Sequence, residues 1–170
     1  MMVGSGFDGV AQRRWSHMQD DLTDEEIRAL HELWIQTSES GGFNAEALVV
    51  DDDPAMLEEL QDLIESEHVT CHVATGAEEA YAQLQRHPGI RIVVTDLCMP
   101  GADGLTMIRH IKERHPESMR YMMISAHGTM RGVQDAMHED VLEFLTKPLD
   151  DKQFLSRFRR VMWMTARDER

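Results

Sequence analysis

Cysteine is scarce in this sequence, and long apolar runs are missing. Only Cys71 and Cys98 occur among the 170 residues; two cysteines do not make a disulfide framework, and a reducing cytoplasm suits them. No stretch approaches the roughly 18 to 20 consecutive apolar residues that a membrane span needs. The first ten residues lack both the basic start and the apolar core of a secretory signal. The sequence therefore predicts a cytoplasmic protein with no membrane association.

Basic residues are also few. Lysine and arginine number 17 against 31 acidic residues, which gives a formal net charge of −14. Such a surface repels the phosphates of nucleic acids and anionic lipid headgroups, so we expect no direct nucleic acid binding by this chain. The apolar fraction of 42% is nevertheless sufficient for a buried core.

Residues 1–45 differ in pattern from residues 46–170. The first part contains one clear helix start, a capping box over residues 23–26. Leu33 and Trp34 lie on the apolar face that follows at helical spacing. We expect this N-terminal helical extension to dock on the rest of the chain or on a partner, because those two side chains need burial. A short cap or a leader is the alternative interpretation.

Residues 46–170 alternate between short apolar runs and helical patterns. This alternation predicts five βα units and a parallel sheet with helices on both faces. The apolar runs are typical of strands that are buried on both sides. The expected strands are residues 47–50, 69–74, 90–95, 121–125 and 141–145.

Polar side chains gather at the ends of four of these strands. In a parallel sheet, ligands bind beyond the carboxyl ends of the strands, where all the ends meet. Each residue alone could equally be a helix cap, a turn residue or part of a surface loop. Their joint placement indicates a site, made of Asp51, Asp52, Asp53, Asp96, Ser125 and Lys147.

The residue types at these strand ends favour phosphoryl transfer. Neighbouring carboxylates repel one another, and a divalent cation relieves this repulsion. Oxygen ligands with retained water suit Mg²⁺. The metal and a lysine can neutralise the charge of a phosphoryl group in transfer, and an aspartate nucleophile yields an acyl phosphate.

Four segments resemble response-regulator receiver domains of two-component signalling systems. They are LVVDDD at residues 48–53, TDLCMPGADG at 95–104, ISAH at 124–127 and FLTKP at 144–148. The resemblance covers about residues 46–167. It implies a flavodoxin-like, doubly wound five-stranded parallel α/β sheet in the order 2-1-3-4-5, with the helical extension outside it.

The resemblance also implies a role for each matching residue. Asp96 is the expected phosphoacceptor. Asp52 is expected to bind Mg²⁺ directly, together with Asp96 and the backbone carbonyl of Cys98, while Asp51 acts mostly through water. Lys147 is expected to pair with Asp96 at rest and with the phosphoryl group afterwards.

A switch pair and a cis bond follow from the same resemblance. Ser125 is expected to move towards the phosphoryl oxygens while the ring of Phe144 turns inward. The bond before Pro148 is expected to be cis. The sequence departs from the family pattern at Asp140, where glycine is usual, although aspartate tolerates a left-handed backbone better than most residues.

Cys98 lies two residues after Asp96, and His127 lies two residues after Ser125. Cys98 and His127 occupy positions that resemble tuners of the dephosphorylation rate, although a packing or rim role is the simpler interpretation of Cys98. The nine histidines show no zinc-type spacing along the chain, so the sequence predicts no histidine metal site.

The sequence thus predicts a phosphorylation-dependent signalling switch with no turnover of an external substrate. A histidine kinase or phosphotransfer protein would donate the phosphoryl group, a downstream output protein or domain would respond, and the last helix could form a homodimer. Alternatives are a regulatory fragment whose enzymatic or DNA-binding output lies beyond residue 170, and a stand-alone adaptor. A small α/β phosphatase would require a second aspartate where Cys98 stands.

Overall fold

A computed structural model describes residues 23–39, 45–115, 119–126 and 130–168. These residues form an alternation of strands and helices that follows one N-terminal helix. The elements in chain order are α1 (Asp24–Glu39), β1 (Glu46–Val50), α2 (Pro54–Glu65), β2 (Cys71–Ala74), α3 (Ala77–Arg86), β3 (Ile90–Asp96), α4 (Gly104–Arg114), β4 (Arg120–Ser125), α5 (Met130–His138), β5 (Val141–Thr146) and α6 (Asp151–Asp168).

The five strands form one parallel sheet in the order β2-β1-β3-β4-β5. This confirms the predicted fold class and strand order. The predicted second strand began too early, because Val69 is buried to 3% exposure yet precedes the paired residues, which start at Cys71. The apolar character of Val69 reflects packing rather than strand pairing.

The sheet is covered on both faces, and this explains the continuous apolar strands. Successive residues of β1 point to opposite sides: Ala47 and Val49 join one core cluster, while Leu48 and Val50 join the other. The first cluster lies under α2 and α6 and includes Phe154. The second lies under α3 and α4 and includes residues of both helices.

Side-chain caps fix where several helices begin. Thr23 and Glu26 form the predicted capping box: the Thr23 backbone N–H donates to Glu26 Oε2 at 2.7 Å, and the Glu26 N–H donates to Thr23 Oγ1 at 3.3 Å. Asp150 caps α6 by accepting from the backbone N–H of Gln153 at 2.8 Å. The start of α1 was predicted from the sequence, because its cap residues precede a periodic apolar face.

Helix α1 lies against α6. Ser156 Oγ donates to Asp24 Oδ1 at 3.4 Å, and Ile35 packs against the core cluster under α6. The side chains of Leu33 and Trp34, on which the docking expectation rested, lie outside the described residues. The division of the chain near residue 45 stays a prediction.

Two backbone expectations are confirmed near β5. Asp140 adopts φ 58°, the left-handed region that aspartate tolerates, and the Lys147–Pro148 bond is cis. Along the described ranges, every helix is too short or too polar to cross a bilayer.

Candidate metal centre at the carboxyl edge of the sheet

The strand register brings the predicted site residues to one edge. Val50 is paired with Thr95, so Asp51 and Asp96 each follow a paired residue on neighbouring strands. Ser125 ends β4 and is paired with Thr146, the last residue of β5. Lys147 follows directly. Four adjacent strand ends therefore contribute to the same place, as the sequence predicted.

Three carboxylates converge there. One oxygen from each of Asp51, Asp52 and Asp96 lies within 4.8 Å of the others. Asp51 and Asp96 are buried, at 2% and 8% exposure, whereas Asp52 is exposed. Buried like charges at this separation repel strongly. A hard cation with oxygen ligands, of the Mg²⁺ type, fits this donor set, with the exposed side of Asp52 leaving room for water ligands.

Lys147 supplies one positive charge to this cluster. Its Nζ donates to Asp51 Oδ2 at 2.9 Å and to Asp96 Oδ2 at 3.1 Å. Burial lowers the pKa of Lys147, but the hydrogen bonds and charges of the two aspartates outweigh it, so its pKa is raised overall. The lysine is therefore fully charged at neutral pH. Among the described residues, this one ammonium faces three carboxylates, which leaves negative charge for a cation to balance.

Backbone donors hold the carboxylates in place. The Asp53 N–H donates to Asp51 Oδ1 at 2.9 Å, and the Cys98 N–H donates to Asp96 Oδ1 at 3.1 Å. Asp53 itself caps α2 by accepting from the Ala55 N–H at 3.0 Å. This gives the third aspartate of the run a structural role rather than a ligand role. The Cys98 side chain is exposed.

Sequence reasoning assigned no role to Gly104, the first residue of α4. Its N–H donates to the Leu97 carbonyl at 2.9 Å, which closes the loop after Asp96. A Cβ at this position would lie 2.2 Å from the Asp96 backbone oxygen. Only glycine therefore lets α4 begin so close to Asp96. The glycine was visible in the sequence, but the close backbone approach was not.

Ser125 and Phe144 occupy the neighbouring strands. Ser125 is fully buried at the end of β4, and its carbonyl accepts from the Lys147 N–H at 2.9 Å. Phe144 is half-buried and packs against the core cluster that contains Met123. The structure places both residues on the strands where the resemblance implied a switch pair. His127 lies outside the described residues.

Comparison with known protein families identifies the same region. The family model for the response regulator receiver domain matches residues 47–159. A curated relative, the response regulator protein PilR of Pseudomonas aeruginosa, is 33% identical over 104 residues, covering 61% of this chain and 23% of PilR. The chain thus spans about a quarter of the length of that relative.

Solved structures resemble the fold over most of the chain. The CheX–CheY–BeF₃–Mg²⁺ complex from Borrelia burgdorferi matches with a TM-score of 0.66 and 32% identity, covering 73% of this chain and 93% of the other. The beryllofluoride-activated NtrC4 receiver domain dimer matches with a TM-score of 0.62 and 28% identity, covering 69% and 97% respectively.

Proposed function

This chain belongs to the family of response regulator receiver domains, and on that premise we propose that it is a signalling switch that accepts a phosphoryl group on Asp96. One observation carries the assignment. Asp96 is a buried carboxylate at the end of the central strand β3, with Asp51 and Asp52 beside it and the Lys147 ammonium 3.1 Å from its Oδ2. A nucleophile, a metal-ligand set and a fixed positive charge therefore occupy one edge of the sheet.

The transfer step follows from these positions. An oxygen of Asp96 attacks phosphorus and forms a new O–P bond, while the bond from phosphorus to the donor breaks. With phosphohistidine the imidazole leaves with the electron pair and takes up a proton; with acetyl phosphate, acetate leaves. Lys147 is already hydrogen-bonded to Asp96 and stays beside the oxygens that gain charge.

Mg²⁺ would be held by Asp52 and Asp96, by the backbone carbonyl of Cys98, and through water by Asp51. The ion supplies charge neutralisation on the phosphoryl oxygens during an in-line transfer. Support comes from the donor chemistry of the three convergent carboxylates. A CheY complex with Mg²⁺ stands among the structural neighbours.

The readout would be a change at the surface formed by α5, β5 and α6. The Ser125 hydroxyl would bond a phosphoryl oxygen and the half-buried ring of Phe144 would turn inward, which couples a local charge to a packed face. A histidine kinase or phosphotransfer protein would be the donor, and an output protein or domain the receiver of the signal. Homodimerisation is a further proposal, supported by the NtrC4 receiver dimer among the similar structures.

Phosphorylation can be tested directly on the purified chain. We expect incubation with Mg²⁺ and acetyl phosphate to add one phosphoryl group, measured as intact mass. Asp96→Asn should abolish this mass increase, because the asparagine amide does not attack phosphorus to form an acyl phosphate. Asp103→Asn is the matched control: this exposed residue caps α4 by accepting from the Thr106 N–H at 2.7 Å, and asparagine caps equally well.

The outcomes separate the candidate functions. Equal uptake in wild type and Asp96→Asn would place the acceptor elsewhere and contradict the assignment. Phosphorylation of both the wild type and Asp103→Asn, with none in Asp96→Asn, would support it. Binding of Mg²⁺ without phosphorylation by acetyl phosphate or by phosphohistidine donors would favour an adaptor that acts through protein contact alone.

A further inference from the structure

We propose that Glu46, His72 and His87 form a second metal site, for Zn²⁺, at the amino end of the sheet. Glu46 begins β1, whereas the phosphoacceptor edge follows the last residue of the same strand. The two sites therefore lie at opposite ends of the sheet. None of these three residues belongs to the proposed Mg²⁺ and phosphorylation site.

The three side chains already converge. His72 Nε2 lies 2.6 Å from Glu46 Oε2. The rings of His72 and His87 stack, with centroids 3.8 Å apart and an interplanar angle of 20°. One ligand atom from each residue lies within 4.8 Å of the other two. Two imidazoles and a carboxylate thus share one small volume.

The backbone beneath these side chains is fixed by hydrogen bonds. Glu46 N–H donates to the Gly89 carbonyl at 3.0 Å, and the His87 N–H donates to the Gln83 carbonyl at 2.9 Å. His72 is paired in register with Leu48 in the β1–β2 ladder. In the proposed site the backbone keeps these hydrogen bonds, and the three side chains rotate to face the ion.

The donor set is that of zinc rather than magnesium. Two histidine nitrogens and one carboxylate oxygen form a common zinc site that keeps one position open, whereas Mg²⁺ prefers oxygen alone. In a tetrahedral site with metal–ligand bonds of about 2.0 to 2.1 Å, ligand atoms lie about 3.3 Å apart. The Glu46–His72 pair would open slightly from 2.6 Å, and the rings would fan apart to bring one nitrogen of each to the ion.

Access is adequate for an ion. The side chains of His72 and Glu46 are 16% and 24% exposed, and His87 is half-buried. This exposure gives Zn²⁺ an entry path and leaves space for a water ligand. The turn at Gly89 passes tightly behind the carboxylate, since a Cβ there would lie 2.9 Å from Glu46 Oε1.

Spacing along the chain gave no sign of this site. Glu46 and His72 are 26 residues apart, and His87 lies on the turn after α3. The residues meet only because β2 pairs with β1 and α3 returns the chain to β3. A bound ion would tie edge strand β2 to β1 and to that turn, and it would stabilise the folded state by mass action.

Zinc binding can be measured on the full chain in the presence of excess Mg²⁺, which is added to compete for the acidic pocket. We expect one equivalent of Zn²⁺ by titration calorimetry, and tetrahedral visible absorption when Co²⁺ replaces it. His72→Gln and His87→Gln should each weaken binding by at least about tenfold, and Glu46→Gln should also weaken it. Thermal unfolding of each variant checks that it is folded.

Two controls make the result decisive. Asp52→Asn alters the acidic pocket, and His110→Gln removes an exposed histidine on α4; both should leave zinc affinity unchanged. Loss of binding in Asp52→Asn with retention in His72→Gln would place the ion in the acidic pocket and overturn the proposal. So would the absence of binding in wild type, or equal loss in His110→Gln; the cluster would then be a His72–Glu46 ion pair with a ring stack. Because calorimetry does not depend on phosphorylation, failure here and failure at Asp96 are distinguishable.

Discussion

The negative charge of buried carboxylates is balanced in different ways at two places in this molecule. At the carboxyl edge, Asp51 and Asp96 both accept from the ammonium of Lys147, and Asp52 adds a third carboxylate beside them. Glu67, by contrast, is a single buried carboxylate beside α6, and several side chains contact it. Arg159 Nε and Nη2 donate to its two oxygens, each at 2.8 Å. His31 of α1 contacts Glu67 Oε2 as well.

The difference in charge balance distinguishes a cluster suited to a cation from a structural ion pair. Glu67, at 2% exposure, receives a bidentate guanidinium, the geometry that best compensates a buried carboxylate. It joins the end of α2 to α6 and α1, and it needs no further ion. Among the described residues, the acidic pocket carries more negative than positive charge, and this balance favours a bound cation.

Removing the Glu67 charge should produce the largest loss of stability. Glu67→Gln would leave the Arg159 guanidinium without a carboxylate partner, and we expect the free energy of unfolding to fall by about 2 to 3 kcal/mol. Urea unfolding measures this. Glu58→Gln, an exposed change of the same kind on α2, should stay within about 0.5 kcal/mol of wild type. Equal effects of the two changes would show that the Glu67 contacts do not stabilise the fold.

Sequence patterns were most informative about the sheet and its carboxyl edge. Both depend on local signals, namely apolar runs of strand length and the polar residues that end them. Asp51, Asp96, Ser125 and Lys147 were predicted together because parallel strands must present their ends at one edge. The start of α1 at Thr23 was predicted for the same local reason, since its capping box precedes an apolar face.

Contacts between distant segments were not predictable in this way. Glu67 and Arg159 are separated by 92 positions, and their pairing depends on how α2 and α6 lie over the sheet. Val69 was assigned to a strand because burial and strand pairing produce the same apolar signal. Gly104 gave no indication of its approach to the Asp96 carbonyl, since that distance is set by the packing of the loop.

Removing charge from the acidic pocket should change metal affinity rather than stability, which is the reverse of the effect expected at Glu67. Asp52→Asn lowers the negative excess at an exposed position, so we expect stability to change by less than about 0.5 kcal/mol. Mg²⁺ affinity should nevertheless fall at least about tenfold, because a ligand is lost. Calorimetric titration with Mg²⁺ measures the affinity, and urea unfolding measures the stability.

The neighbouring Asp53 provides the matched control. Its side chain caps α2 by accepting from the Ala55 N–H, and asparagine at this position caps equally well. Asp53→Asn should therefore keep both Mg²⁺ affinity and stability. If it lowered Mg²⁺ affinity as much as Asp52→Asn, the general negative potential, rather than a specific ligand, would account for metal binding.

The smallest expected effect on stability is that of His31, whose side chain also contacts Glu67. Burial lowers the pKa of His31 from 6.5, and this outweighs the opposing attraction of Glu67. Below pH 6.5 the unfolded chain therefore binds more protons at this residue than the folded chain does. The contribution of His31 to stability is fully present above pH 6.5 and is lost as the pH falls through its folded pKa.

The difference in unfolding free energy between wild type and His31→Gln, measured across this pH range, isolates the His31 contribution. We expect the wild type to lose stability relative to the variant as the pH falls. The opposite slope would mean that the attraction between a protonated His31 and Glu67 exceeds the cost of burial. Glu67 would then lie between two cations, Arg159 and protonated His31, and α1 would bind more tightly to the rest of the fold in acid.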